Sequence, residues 1–261
     1  MQSLAFRPCV VVPVFDHERA LTLLADRLCA TGLTCLFVDD GSGPVCAAAL
    51  DALAAQHPDR FRLLRLPRNR GKGAAVLAGF RAALAAGFTH AVQIDADCQH
   101  DAREIPKFIA AAHAQPLAVI NGVPRYDDTV PKLRRYGRAI TNVLARVYTC
   151  SADIGDAMCG FRLYPLAAAV ALDDAVGIGR RMQFDTDIIV RLHWAGVAVV
   201  NLPVSVTYPA DGVSHFHMLR DNLRMTALHV RLAAGFLRRL PRLLARRLSV
   251  PSSARRDARR C

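Results

Sequence analysis

The sequence predicts an α/β protein whose mostly parallel sheet is flanked by helices, on two observations. Short, β-branched apolar runs alternate with helical stretches between Cys9 and Asp97, and three of those runs stop abruptly at turns that carry acids. Strands alternating with helices at this pace put helices on both faces of a parallel sheet. In such sheets ligands bind beyond the carboxyl ends of the strands. The three acid-bearing turns, Phe15-Asp16-His17, Asp39-Asp40-Gly41-Ser42 and Asp95-Ala96-Asp97, therefore fall on one rim.

Each element has its own signal. Residues 9–14 form a continuous apolar run that reads as a buried strand. Residues 18–29 place Leu21, Leu24, Ala25 and Leu28 at helical spacing, and 34–38 is a second strand. An Ala- and Leu-rich helix, a strand at 61–66, a helix opened by Asn69-Arg70-Gly71-Lys72-Gly73 that fades at Gly87, and a strand at 90–94 follow. The second half is less regular. A strand at 117–121, a helix from Gly137, an amphipathic helix at 184–195 and an extended segment at 197–206 are expected there. From Phe216 one or two helices run to about Leu248 with a break at Pro241. The predicted organisation is a catalytic domain over 1–215, a basic amphipathic helical tail over 216–250 and a disordered end over 251–261.

Composition limits the function classes. A chain of 261 residues with 52% hydrophobic and 21% charged residues builds a packed globular core. No apolar stretch approaches the roughly 20 residues of a membrane-spanning helix, and residues 1–8 hold no apolar core of signal-peptide length. The eight cysteines are scattered without CxxC spacing, which reads as reduced thiols and a cytoplasmic setting rather than a disulfide framework. The net charge of +12 is concentrated at one end: residues 217–261 hold twelve arginines against Asp221 and Asp257, leaving about +2 for the rest.

Four constellations can carry chemistry. Asp95 and Asp97, two apart beyond a strand, put both carboxylates on one side of the chain, where they repel unless a cation intervenes. With the Gln99 amide they suit Mg2+ or Mn2+; read alone, they are also two solvated acids on a loop. Asp39 and Asp40 can accept hydrogen bonds from a base or ribose, or belong to a plain loop with Ser42 capping a helix. Asn69 to Ala75 opens a helix whose free amides, with Lys72, attract phosphate, or simply start a helix. Arg125, Lys132, Arg134, Arg135 and Arg138 form either a solvated basic face or an anion clamp.

Taken together, these segments resemble the family 2 glycosyltransferases, and within them the dolichyl- or polyprenyl-phosphate sugar synthases. The similarity rests on an ordered set: Val11-Val12-Pro13-Val14-Phe15, Val38-Asp39-Asp40-Gly41-Ser42, Asn69-Arg70-Gly71-Lys72-Gly73-Ala74, Gln93-Ile94-Asp95-Ala96-Asp97-Cys98-Gln99-His100 and Asp156-Ala157-Met158-Cys159-Gly160-Phe161-Arg162. It covers about residues 8 to 208. The resemblance implies a GT-A fold and inverting transfer from a nucleoside-diphosphate sugar. It places Pro13, Phe15, Asp39, Asp40, Lys72 and Asp95 against the donor, and Asp97 and Gln99 on the metal that grips its diphosphate.

The sequence departs from that family at three places. Asp16-His17 replaces an Asn-Glu pair, Asp187 is the nearest equivalent of a Glu, and the loop Tyr208-Pro209-Ala210-Asp211-Gly212-Val213-Ser214 lacks the Arg that many relatives place before Gly-x-Ser, leaving His215 or His217 as substitutes. The acceptor is expected at a membrane. If it is a lipid phosphate, Arg125, Arg134 and Arg138 would bind it; if it is a hydroxyl, Asp156 or Asp187 would serve as base. The tail places apolar residues at helical spacing beside arginines, as an interfacial helix on the inner face of the cytoplasmic membrane does; the alternative is a helix packed on the domain with arginines in water. A nucleotidyltransferase is disfavoured because Pro13-Val14-Phe15-Asp16 holds no glycine. A nucleic-acid binder is disfavoured because the core is near neutral and the tail has few aromatic residues.

Overall fold

The computed structural model describes residues 5–126, 132–207 and 218–249. The expected alternation is present as β1 (Pro8–Val14), α1 (Glu18–Cys29), β2 (Cys35–Asp39), α2 (Pro44–Gln56), β3 (Phe61–Arg65), α3 (Lys72–Ala85) and β4 (His90–Gln93). A 3-10 turn and α4 (Ile105–Ala114) lead to β5 (Val119–Tyr126), α5 (Lys132–Thr149), β6 (Arg162–Pro165), α6 (Leu166–Val176), α7 (Phe184–Trp194), β7 (Val199–Val206) and α8 (Met218–Ser249). The strands form one sheet in the order β3-β2-β1-β4-β6-β5-β7. Only β6 runs against the others, pairing antiparallel with β4 and β5. The carboxyl ends of β1, β2, β4 and β5 therefore share a rim, and β6 brings the segment ending at Arg162 into the middle of the sheet.

Alternation along β1 sorts the core into two layers. Val10, Val12 and Val14 face Leu24 and Leu28 of α1, Leu50 of α2 and Phe108 of α4. Cys9 and Val11 face Val76 and Phe80 of α3, with Leu166 of α6 and Phe184 of α7. A third cluster joins Tyr148 of α5, Ile189 and Trp194 of α7, and Leu228 and Leu232 of α8. The seven cysteines within the described residues are unpaired.

Three local expectations differ from the structure. The Phe184–Trp194 segment is not amphipathic: nine of its eleven residues are buried, because α7 lies between the second and third clusters. The motif before Phe161 leads into β6, whose short apolar run the sequence reading passes over. Pro241 sits inside a continuous α8. It removes the hydrogen bond to the Leu237 carbonyl, and both residues lie on the exposed side, where water can satisfy that group.

The third cluster makes α8 part of the folded unit and not a loose tail. Leu228→Ala and Leu232→Ala are each expected to lower the unfolding free energy by about 2–5 kcal/mol, within a single urea transition. A main transition left unchanged by both would show that α8 unfolds separately.

Candidate active site

The first two rim turns are stitched to each other. Asp16, with φ of 50°, accepts the Gly43 amide at 2.7 Å, and its own amide donates to the Ser42 hydroxyl at 3.1 Å. Asp39 is buried, accepting the Ser42 amide at 2.8 Å and the Arg65 guanidinium at 2.8 Å. Burial works to raise its pKa, but these donors hold it below the usual carboxylate range. Asp40 accepts the amides of Arg70 and Gly71, both at 2.7 Å, and burial pushes its pKa up. Asp40 thus braces the approach to α3, while Asp39 ties the end of β2 to Ser42 and to Arg65 of β3. Gly71, with φ of 100°, has its Cα face closed by Arg180 and Arg181, so only glycine fits where the two loops cross. Pro13 is buried within β1, and Phe15 is half-buried just past its end.

Beyond the N-terminus of α3, the Lys72 ammonium lies between two acids, donating to Asp95 at 2.7 Å and to Asp185 at 2.8 Å. Burial opposes its charge; Asp185 and Asp95 outweigh burial and raise the Lys72 pKa, so it stays protonated. The Asp95 pKa is lowered by Lys72 against its own burial. Gln93, at the end of β4, donates to the other Asp185 oxygen at 2.9 Å. Gly160 passes so close that a Cβ there would stand 2.5 Å from the Asp95 carboxylate and 2.6 Å from Lys72 Nζ. The Lys72 predicted to meet phosphate is thereby engaged with protein carboxylates.

Asp97 stands beside this pair. Burial and then the Asp95 charge push its pKa up to about 6. Its carboxylate accepts the Gln99 amide at 3.0 Å, through a turn whose Cys98 has a φ of 57°. Such left-handed geometry at a non-glycine residue is strained and clusters at functional sites. The Thr207 amide donates to the Gln99 carbonyl at 3.0 Å, tying this turn to the end of β7. The second Asp95 oxygen is buried without a hydrogen-bond partner. An orphaned carboxylate oxygen next to a second acid that resists ionisation fits a divalent cation. Among the described residues no three His, Cys, Asp or Glu side chains form a metal cage. A cation here would be held by Asp97 and Gln99 and completed by ligand oxygens.

On the other side, Arg138 of α5 grips Asp156 through two bonds, at 2.6 and 2.8 Å. Asp156 also accepts from Asn142 at 3.1 Å and from the Met158 amide at 2.8 Å. Burial raises its pKa, but Arg138 and these donors bring it below the ordinary range. Arg125 is exposed at the end of β5. Arg134 lies on α5 with its side chain outside the described residues, as do His215 and His217 in full. Asp187 is not joined to the Lys72 group: it pairs with Arg191 and accepts the Gly179 amide at 2.9 Å.

Two residues to which the sequence assigned no role organise this region. Asp185, two positions before Asp187, is the α7 acid that reaches the Lys72 ammonium. Arg162 is fully buried and donates to Asn121 Oδ1 at 2.6 Å, to the Asp156 carbonyl at 3.1 Å and to the Asp185 carbonyl. A charged residue opening an apolar strand was the available signal for Arg162.

Two outcomes follow for Asp97. Its raised pKa means that the folded apo protein keeps this proton from about pH 4 to about pH 6, where the unfolded chain has lost it, so the group costs stability above that window. Asp97→Asn should therefore abolish transfer and metal-dependent nucleotide binding while leaving Tm at neutral pH equal to or above wild type. Mn2+ affinity of the wild type should rise through about pH 6, with a proton released on binding. Calorimetry in buffers of different ionisation enthalpy measures that proton; pH-independent affinity would remove Asp97 from the metal site.

Comparison with known proteins gives the family. Residues 9–169 match Glycosyl transferase family 2. The chain is 28% identical over 223 residues to polyprenol monophosphomannose synthase of Mycolicibacterium smegmatis, covering 84% of this chain and 83% of that one. Its fold resembles glucosyl-3-phosphoglycerate synthase from Mycobacterium tuberculosis in complex with Mn2+, UDP-glucose and phosphoglyceric acid, with TM-score 0.64 and 13% identity over 95% of this chain and 82% of that one. It also resembles a mannosyltransferase from Pyrobaculum calidifontis in complex with GDP-Man and Mn2+, with TM-score 0.60 and 17% identity over 89% and 66% of the two chains. With most of the α/β domain inside the match, the chain belongs to glycosyl transferase family 2 and has the GT-A fold.

Proposed function

We propose that the enzyme moves a sugar, with inversion, from a nucleoside-diphosphate sugar to a polyprenyl phosphate, with Mg2+ or Mn2+ on the donor diphosphate. The observation that carries the acceptor class is the state of the two candidate bases. Asp156 is gripped by Arg138 and held below the usual carboxylate range, and Asp187 is committed to Arg191 and the Gly179 amide. A hydroxyl acceptor needs a base within reach of its proton, whereas a phosphate arrives already ionised. The phosphate oxygen attacks the anomeric carbon as the bond to the diphosphate breaks, and no protein group needs to take a proton.

The remaining work is positioning and charge. Asp39 and Asp40 hold the loops that frame the nucleoside, Pro13 and Phe15 form its apolar wall, and Asp95 orients the sugar end of the donor. Asp97 and Gln99 would hold the ion, which supplies Lewis-acid stabilisation of the charge gathering on the departing diphosphate. Arg125 and Arg134 serve the acceptor phosphate, while the Arg138 guanidinium is engaged with Asp156.

The Mycobacterium tuberculosis neighbour binds a small phosphorylated acid, phosphoglyceric acid. The exposed apolar surface favours a lipid. The side of α8 opposite its packed face shows Leu219, Leu223, Val230, Leu237 and Leu244, flanked by Arg220, Arg231 and Arg238. On α5, which contains no acid, Tyr136 (69% exposed), Ile140 (61%), Val143 and Val147 form a second stripe. A helix that merely packs on its domain shows water a polar face; these fit an anionic lipid surface, where each basic residue contributes about 1 kcal/mol. No helix among the described residues is long and apolar enough to cross a membrane.

With Mn2+ and labelled donor, undecaprenyl phosphate should accept sugar while undecaprenol and 3-phosphoglycerate do not; the reverse would overturn the acceptor assignment. Arg134→Ala should raise the acceptor KM about tenfold or more and leave nucleotide affinity within about twofold. Equal losses in both would move Arg134 to the donor site. The protein should float with anionic vesicles at low salt and release at high salt, and Leu223→Ser with Leu237→Ser should abolish flotation.

A further inference from the structure

We infer that Asp185 is a positioning residue of the donor site, acting through Lys72 to fix the Asp95 carboxylate; this rests on the glycosyl-transfer reading above. Three observations on separate elements converge. First, Lys72 donates to both acids at once, 2.7 Å from Asp95 and 2.8 Å from Asp185, with only 15% of its side chain exposed. A lysine placed to meet an incoming diphosphate would keep its ammonium in open water; this one is spent on two carboxylates. Second, Asp185 is held from behind. Gln93 donates to its free carboxylate oxygen at 2.9 Å, and the buried Arg162 donates to its main-chain carbonyl, so Asp185 is a fixed point rather than a swinging side chain. Third, Gly160 leaves no room around the contact, since a Cβ there would overlap both Lys72 and Asp95.

The consequence is mechanical and electrostatic together. Asp95 is the more exposed acid of this chain of contacts, and one of its oxygens is anchored by an ammonium whose other contact is held in place. The remaining Asp95 oxygen is buried without a partner. Asp185 gives Lys72 a second, fixed partner, so the cation stays put when a negatively charged diphosphate enters. Without Asp185 the ammonium has one protein partner left and can follow the diphosphate, and Asp95 loses its anchor as the donor arrives. Misplacement by about 1 Å at a reacting centre can cost roughly a hundredfold in rate.

The test is a double-mutant cycle on the full-length protein with Mn2+, GDP-mannose or UDP-glucose as donor, and undecaprenyl phosphate as acceptor. Asp185→Asn, which preserves volume, should lower kcat roughly 10- to 100-fold while donor KM and Mn2+-dependent nucleoside-diphosphate affinity move less than about threefold. Lys72→Met should show the same split, and the double variant should be no slower than Lys72→Met alone, because the two act as one unit. Asp185→Glu, which keeps the charge one methylene further out, should recover part of kcat and carries the same cycle if Asp185→Asn does not fold. Losses that multiply in the double variant, or an Asp185→Asn enzyme with wild-type kcat, would overturn the proposal. A wild-type protein that turns over neither donor would instead bring down the glycosyl-transfer reading, and this proposal with it.

Discussion

A protonated lysine sits between two carboxylates at the point where the sheet, α3 and α7 meet, and the site is arranged around it. Lys72 lies in the first turn of α3, Asp95 just past β4, and Asp185 in the first turn of α7. Removing three charges from water is costly unless each finds its partner, and breaking such a group is far more damaging than never building it. The structure meets this cost by closing the surroundings: Gly160 lies against the pair, Gln93 caps Asp185, and Arg162 fixes the α7 backbone. The same Arg162 reaches the Asp156 carbonyl, so the Asp185 and Asp156 segments share one buried cation.

Charge is distributed unequally across the cleft. On one side, Asp95 is satisfied by Lys72 through one oxygen only, and burial together with the Asp95 charge pushes Asp97 up to about 6. That is a site short of positive charge by about one divalent ion. On the α5 side the acid is neutralised, with Asp156 bound twice by Arg138. A reaction that brings a metal-bound diphosphate to one side and an ionised phosphate to the other fits this asymmetry. One that requires a protein base on the acceptor side does not.

Much of this was legible in the sequence, for local reasons. Strands β1, β2 and β4 are continuous apolar runs that stop at acids, so both their positions and their shared rim could be read from residue order. What could not be read was which neighbour each charge would choose. Asp185 and Asp187 lie two apart on α7, and only the helix phase decides that the first meets Lys72 and the second meets Arg191. Lys72 was legible as a cation at a helix start, where phosphate is a reasonable partner, but its two carboxylates come from positions 23 and 113 residues away. Likewise α8 was legible as amphipathic, but its second apolar face, the one that packs on Trp194 and Tyr148, emerges only when the helix is docked.

The central claim is that these paired acids bind a nucleotide sugar through a divalent ion. Thermal unfolding of the protein against a panel of nucleoside-diphosphate sugars, with and without Mn2+, tests it most directly, because a ligand that binds only the folded state raises Tm by mass action. The expected result is a concentration-dependent rise for one donor class that needs Mn2+ and disappears with chelator. No rise with any nucleotide sugar, or a rise of the same size in chelator, would contradict it.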